Sequence, residues 1–168
     1  MSGPFVHLTL NHVPIIGVFF ALALLALAWV RRSEELADTG FVALVVLALV
    51  AIGVYFSGEA AEEAIEHLAG VSETRIEAHE EAALVAFIGM ETLGAGALAA
   101  FLGRRRVGTI RGWVGGVAVL TAIVAGLFVW TAHRGGLIRH PELRGSDAAA
   151  AELEAETEDG RRGRGGRR

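Results

Sequence analysis

Residues 113–132 read WVGGVAVLTAIVAGLFVWTA, twenty consecutive positions without a charge. A helix rises about 1.5 Å per residue, so roughly 20 apolar residues cross the ~30 Å hydrocarbon core of a bilayer. Three more runs of this kind precede it: PIIGVFFALALLALAWV at 14–30, GFVALVVLALVAIGVYF at 40–56 and AALVAFIGMETLGAGALAAFL at 82–102. Backbone in lipid has no water to bond and must pair its N–H and C=O groups internally, so runs of this length are read as helices. They are apolar on every face, unlike the one-sided stripe of a helix in a soluble bundle. With 53% hydrophobic residues and a mean hydropathy of +0.49, the whole chain belongs in this class.

The expected fold is all-α: an integral membrane, up-down-up-down four-helix bundle with spans near 12–30, 38–57, 81–102 and 112–133. The links between spans one and two and between three and four are short, which favours antiparallel neighbours. The segment between spans two and three, residues 57–83, is longer and rich in Ala and Glu. Both are strong helix formers, so spans two and three are expected to run outward as a helical hairpin that turns near Gly70–Ser72. Gly58 is an alternative break in its first arm. Gly135-Gly136 is read as the end of the fourth helix, with Leu137–Glu142 extended beyond it. The bundle thus takes up residues 1–145. Residues 146–168, Ala/Glu-rich and then Arg/Gly-rich, hold too little apolar surface to fold alone and are expected to be a disordered tail.

All fifteen basic residues are arginine, and six of them (Arg31, Arg32, Arg104, Arg105, Arg106, Arg111) lie in the two short links. The positive-inside tendency makes those links cytoplasmic and puts both termini outside. The chain has no cysteine. That excludes disulfides, thiolate metal sites, iron–sulfur clusters and covalent haem attachment.

All six histidines then fall on the outer side: His7 and His12 at the start of span one, His67 and His79 in the hairpin, His133 and His140 after span four. Histidine is the commonest metal ligand and titrates nearest neutral pH. Asn11-His12-Val13-Pro14 reads as a helix start with Asn11 as cap, which fixes His12 at the mouth of the bundle. His79 lies one turn above span three. His12 and His79 are the expected cofactor-binding pair, with His67 and His140 next. Glu59, Glu63 and His67, spaced i, i+4, i+8, form one helical stripe, and Glu80 neighbours His79. Glu59, Glu63 and Glu80 are candidate metal ligands, although such a stripe equally suits a solvated acidic face. Glu91 stands mid-span in FIGMETLGAG, where a charge costs roughly 2.5–3.5 kcal/mol. It is expected to face the bundle interior as the neutral acid, either as a proton relay or as a structural group bonded to Thr92 or Thr121.

HLTLNHVP opening span one, GEAAEE ending span two, AHEEA opening span three and GGLIRHPE ending span four resemble a group of small bacterial four-span membrane proteins of unknown function. The resemblance covers about residues 5–144. It implies the bacterial inner membrane and an outer-face histidine pattern at His12, His79 and His140, and it lends no activity.

Two functions follow as expectations. One is a membrane redox or metal-binding module, with b-type haem held by outer-face histidines for electron transfer, or a non-haem metal ion in its place. The other is a non-catalytic accessory subunit of a larger membrane complex. Lipid is the expected partner in both, with a redox complex or a second copy of the chain beside it and no nucleic acid. A nucleophile–base arrangement is missing from the sequence, so a stand-alone enzyme is not expected.

Overall fold

The computed structural model describes residues 3–66, 68, 71–103, 110–140 and 145. His67, Gly70, Arg104, Arg105, Arg106 and the tail from 146 lie outside them, so the expectations placed on those residues are not addressed.

Five helices make up the fold: α1 (Gly3–Leu10), α2 (His12–Arg31), α3 (Glu34–Glu63), α4 (Glu73–Gly103) and α5 (Ile110–Arg139). The four long ones form a bundle in which α2 packs on α3, α3 on α4, α4 on α5 and α5 back on α2. This ring of sequence neighbours is the antiparallel four-helix arrangement. The α1 helix lies against α3 and leads almost directly into α2. The break between α1 and α2 follows from Pro14, which has no N–H for the carbonyl of Leu10 four residues earlier. Asn11 is not the cap foreseen. It keeps helical dihedrals, its side chain caps nothing, and its N–H continues the helix to the His7 carbonyl at 2.9 Å. At the other end of α2, Arg32 takes a left-handed conformation (φ 54°), which turns the chain into the Ser33 cap of α3.

Size, more than polarity, separates the inside of this bundle from the outside. Its interior is dominated by small side chains, among them Ala21, Ala28, Ala37, Ala48, Ala51, Ala86, Ala97 and Ala100, packed around Phe41, Leu25, Leu44, Met90 and Leu93. Large apolar residues face outward: Phe20 is 70% exposed, Phe56 71%, Leu49 65% and Val119 64%. A water-soluble protein does not leave so much contiguous apolar surface open, whereas in a bilayer small residues belong at helix contacts and large ones against lipid. Gly94 shows the principle at its tightest. A Cβ built there would stand 2.5 Å from the Cβ of Ala48, so α3 and α4 approach as closely as their backbones allow. Gly115 serves the ring of Trp29 in the same way at 2.7 Å. Gly116, one of the GxxxG pair with Gly112, faces open space.

The four long helices are long and apolar enough to cross a membrane. At 30 residues, α3 measures about 45 Å against a ~30 Å core, so about ten residues lie beyond the hydrocarbon. Aromatic residues mark both levels, as they do at membrane interfaces. The Arg111 guanidinium lies 4.9 Å from the ring centre of Trp29 at one end, and that of Arg134 lies 5.6 Å from Trp130 at the other. The foreseen helical hairpin appears as two arms, residues 57–63 of α3 and 73–81 of α4. The α3 arm runs unbroken through Gly58. The fourth helix also differs from expectation: it continues through Gly135-Gly136 to Arg139, where an extended piece was foreseen. The reason is tertiary contact, because Gly135 lies against the ring of His79 and the helix is held where its own propensity would let it fray.

Candidate functional site

Two histidines are held at the end of the bundle that carries α1, His7 against α3 and His79 against α5. His7, on α1, places its Nδ1 3.0 Å from the carbonyl of Val54 on α3. Its ring lies over Gly58, where a Cβ would come within 3.6 Å of Cε1. Gly58 thus does not break α3; it forms the surface on which the imidazole lies. His79, on α4, places its Nδ1 3.1 Å from the carbonyl of Thr131 on α5, and its ring lies over Gly135, where a Cβ would come within 3.0 Å of Cε1. Thr131 ties the same helices a second time, its hydroxyl donating to the Ala82 carbonyl at 3.0 Å.

These two bonds settle the tautomers. A carbonyl oxygen can only accept, so Nδ1 of each ring carries the hydrogen. In a neutral imidazole this leaves Nε2 as a free lone pair, the atom that ligates metal, and a carbonyl on Nδ1–H is the usual second contact that orients a ligating ring. The two rings are near enough that charge on one acts on the other. Asn11 lies one turn after His7 on the same helical face, and its buried Oδ1 has no hydrogen-bond partner among the described residues.

Beside the histidines, two carboxyl groups join the arms of α3 and α4. Glu62 and Glu80 hydrogen-bond to each other. A carboxylate has no proton to give, so such a bond requires that the pair hold one. Both lie past the apolar run of their helix. The bond to Glu80 lifts the Glu62 carboxyl from 4.5 to about 7, helped by partial burial and by the charges of Glu80, Glu66 and Glu59.

The other residues singled out in the sequence are spread more widely. His12 is exposed on α2, facing away from the His7 stripe. His133 is exposed on α5, and His140 follows the end of α5, its N–H bonded to the Gly136 carbonyl at 3.1 Å. Glu59 and Glu63 are exposed on the α3 arm, and Glu80 is the partner of Glu62. Among the described residues, no three His, Asp or Glu side chains come together as a group that could hold a metal ion. Glu91 is half-buried on α4, with its Oε1 enclosed and unpartnered. Neither threonine is its donor: Thr92 bonds the Ile88 carbonyl and Thr121 the Val117 carbonyl. His7 is the residue that reasoning from the sequence left aside. The signal was there in its spacing, since His7, Asn11, Pro14 and Val18 form one helical stripe ending on the buried core, whereas His12 falls off it.

Compared with known protein families, curated proteins and solved structures, the chain matches none.

Proposed function

We propose that the protein is a membrane redox module in which His7 and His79 would hold a b-type haem through their Nε2 atoms. The observation that carries this reading is the pair of Nδ1–H···O=C bonds, which presents two lone-pair Nε2 atoms from opposite helix pairs, α1/α3 and α4/α5. The donor set fits the group. A metal ion bound by protein alone needs three or four ligands, whereas a porphyrin brings four of its own and asks the chain for one or two imidazoles. Gly135 leaves the space in which the His79 ring seats. Bound haem would supply a one-electron couple; the chain supplies ligation and ring orientation. The site faces the outside of a bacterial inner membrane, as the six arginines of the short links argue.

The test is an absorption spectrum of the detergent-purified full chain, as isolated and after haem addition. The expected result is a Soret band that shifts and sharpens on dithionite reduction, lost in His79→Ala, altered or lost in His7→Ala and unchanged in His12→Ala. A chain that stays colourless after haem addition, or one in which His12→Ala alone removes the band, overturns the assignment. Orientation has its own check. Single cysteines at 63, exposed on the α3 arm, and at 107, probed in intact cells with an impermeant thiol reagent, should label at 63 and stay silent at 107.

A further inference from the structure

A second feature lies deeper, on the seam between α3 and α4. Phe87, Glu91, Gly94, Leu98 and Phe101 follow one another by four and three residues, which places them on one face of α4. That face meets α3 along its length. The Phe87 ring stacks on Tyr55 at 4.4 Å, with Phe56 edge-on to both. One turn down stands Glu91. Next comes the close contact of Gly94 with Ala48. Below it a recess opens between Val42, Val45, Val46, Leu98 and Phe101, and Val42, Val46 and Leu98 are 46%, 51% and 44% exposed. The exposed positions face lipid, so the seam is a groove reached from the bilayer.

Glu91 gives this groove chemistry. It lies eleven residues below Glu80, about 16 Å along the helix and near the middle of the hydrocarbon. Its carboxyl has no hydrogen-bond partner among the described residues, with Oε1 enclosed. The form that fits such a place is the neutral acid, which has an O–H to donate. A molecule able to take that bond must be soluble in the hydrocarbon, so a phospholipid headgroup is excluded by its charge. It needs a ring oxygen as acceptor, a flat face for the aromatic clasp above and a hydrocarbon tail for the recess two turns below.

We propose that the α3–α4 seam binds a lipoquinone-class molecule, its ring oxygen on the Glu91 carboxyl beside Tyr55 and Phe87 and its tail along Val42, Val46 and Leu98. This site is separate from the histidine mouth and does not rest on haem being there.

The experiment uses haem-free full-length protein in nanodiscs of synthetic phosphatidylcholine, titrated with decylubiquinone, with empty discs as the partition blank. Bound quinone is counted per chain after gel filtration. Saturable binding near one per chain is expected. Glu91→Leu should weaken it at least tenfold. Glu91→Gln should retain it, because the amide N–H can donate to the same oxygen. Val46→Trp, which fills the recess, should weaken the decyl compound and leave a tail-less benzoquinone unaffected. Helicity by circular dichroism confirms that each variant is folded. Quinone uptake no greater than in empty discs, or Glu91→Leu equal to wild type, overturns the proposal. Equal displacement by dodecanol also overturns it, assigning the groove to a simple hydroxylated chain.

Discussion

Gly94→Ala is expected to be among the most damaging single-methyl additions to this chain, lowering stability by about 2 kcal/mol, within the range for overpacked cores. The new Cβ would stand 2.5 Å from the Cβ of Ala48, and neither atom belongs to a side chain that can rotate away. Relief must come from moving α3 and α4 apart, which loosens the contact for its whole length. Gly17 offers a contrast: a Cβ there runs into the branched end of Leu47, which has other rotamers, so Gly17→Ala should cost less. Gly96→Ala, with nothing within 4 Å, should be neutral or gain up to about 1 kcal/mol of helix propensity. The decisive measurement is a double-mutant cycle read by thermal unfolding in detergent. Ala48→Gly should restore most of what Gly94→Ala loses. Equal losses at 94 and 96, or a lack of rescue, would show that the two helices do not meet here.

The second large effect is on pH. The folded Glu62 carboxyl holds its proton up to about 7, against 4.5 ordinarily. The folded state therefore binds this proton more tightly than the unfolded chain. Its stabilising contribution is fully present below about 4.5, fades between 4.5 and 7, and is gone above 7. Above that point two carboxylates oppose each other between the arms, with Glu59 and Glu66 adding to the repulsion. Protection of the amides at residues 57–63 and 73–81, taken against the intrinsic base-catalysed exchange rate at each pH, should fall as the pH rises from 5 to 8. Glu62→Gln keeps a donor for Glu80 and should abolish most of this dependence, leaving the arms protected at pH 8. Protection that does not vary with pH in the wild type, or varies equally in Glu62→Gln, would remove this pair as its source. Because His79 adjoins Glu80, the same titration should reach the histidine mouth.

The four helices could be read directly because length and lipid solubility constrain them so strongly: a charge-free run of twenty residues has few alternatives. Which side of each run faces the bundle could not, because the apolar runs carry no polar face, and burial is decided instead by fit between small residues. Gly94 and Gly96 are indistinguishable in sequence, yet one touches Ala48 and the other touches nothing. The histidine pair failed to appear for a related reason. Asn11-His12-Val13-Pro14 carries the local marks of a helix start, and those marks drew the reading to His12. The chain instead forms one more helical piece before Pro14, and it is His7 that comes to rest on α3. Gly135 suggests a helix end by its sequence and Gly58 an alternative one, when each is the place where an imidazole from another helix lies down. A glycine's use as a contact surface depends on what reaches it from elsewhere in the fold, which no local window contains.

The position of His7 carries a practical consequence. It stands on an eight-residue helix that contributes no buried residue and precedes the apolar run 14–30 of the first span. A protein shortened to begin at Asn11, or fitted with a bulky tag that displaces α1 from α3, would keep all four crossing runs and its core, and would pass the usual checks of expression and monodispersity. It would nevertheless lack half of its imidazole pair. Affinity tags therefore belong after the arginine tail, so that the spectrum is read on a chain whose α1 packs freely on α3.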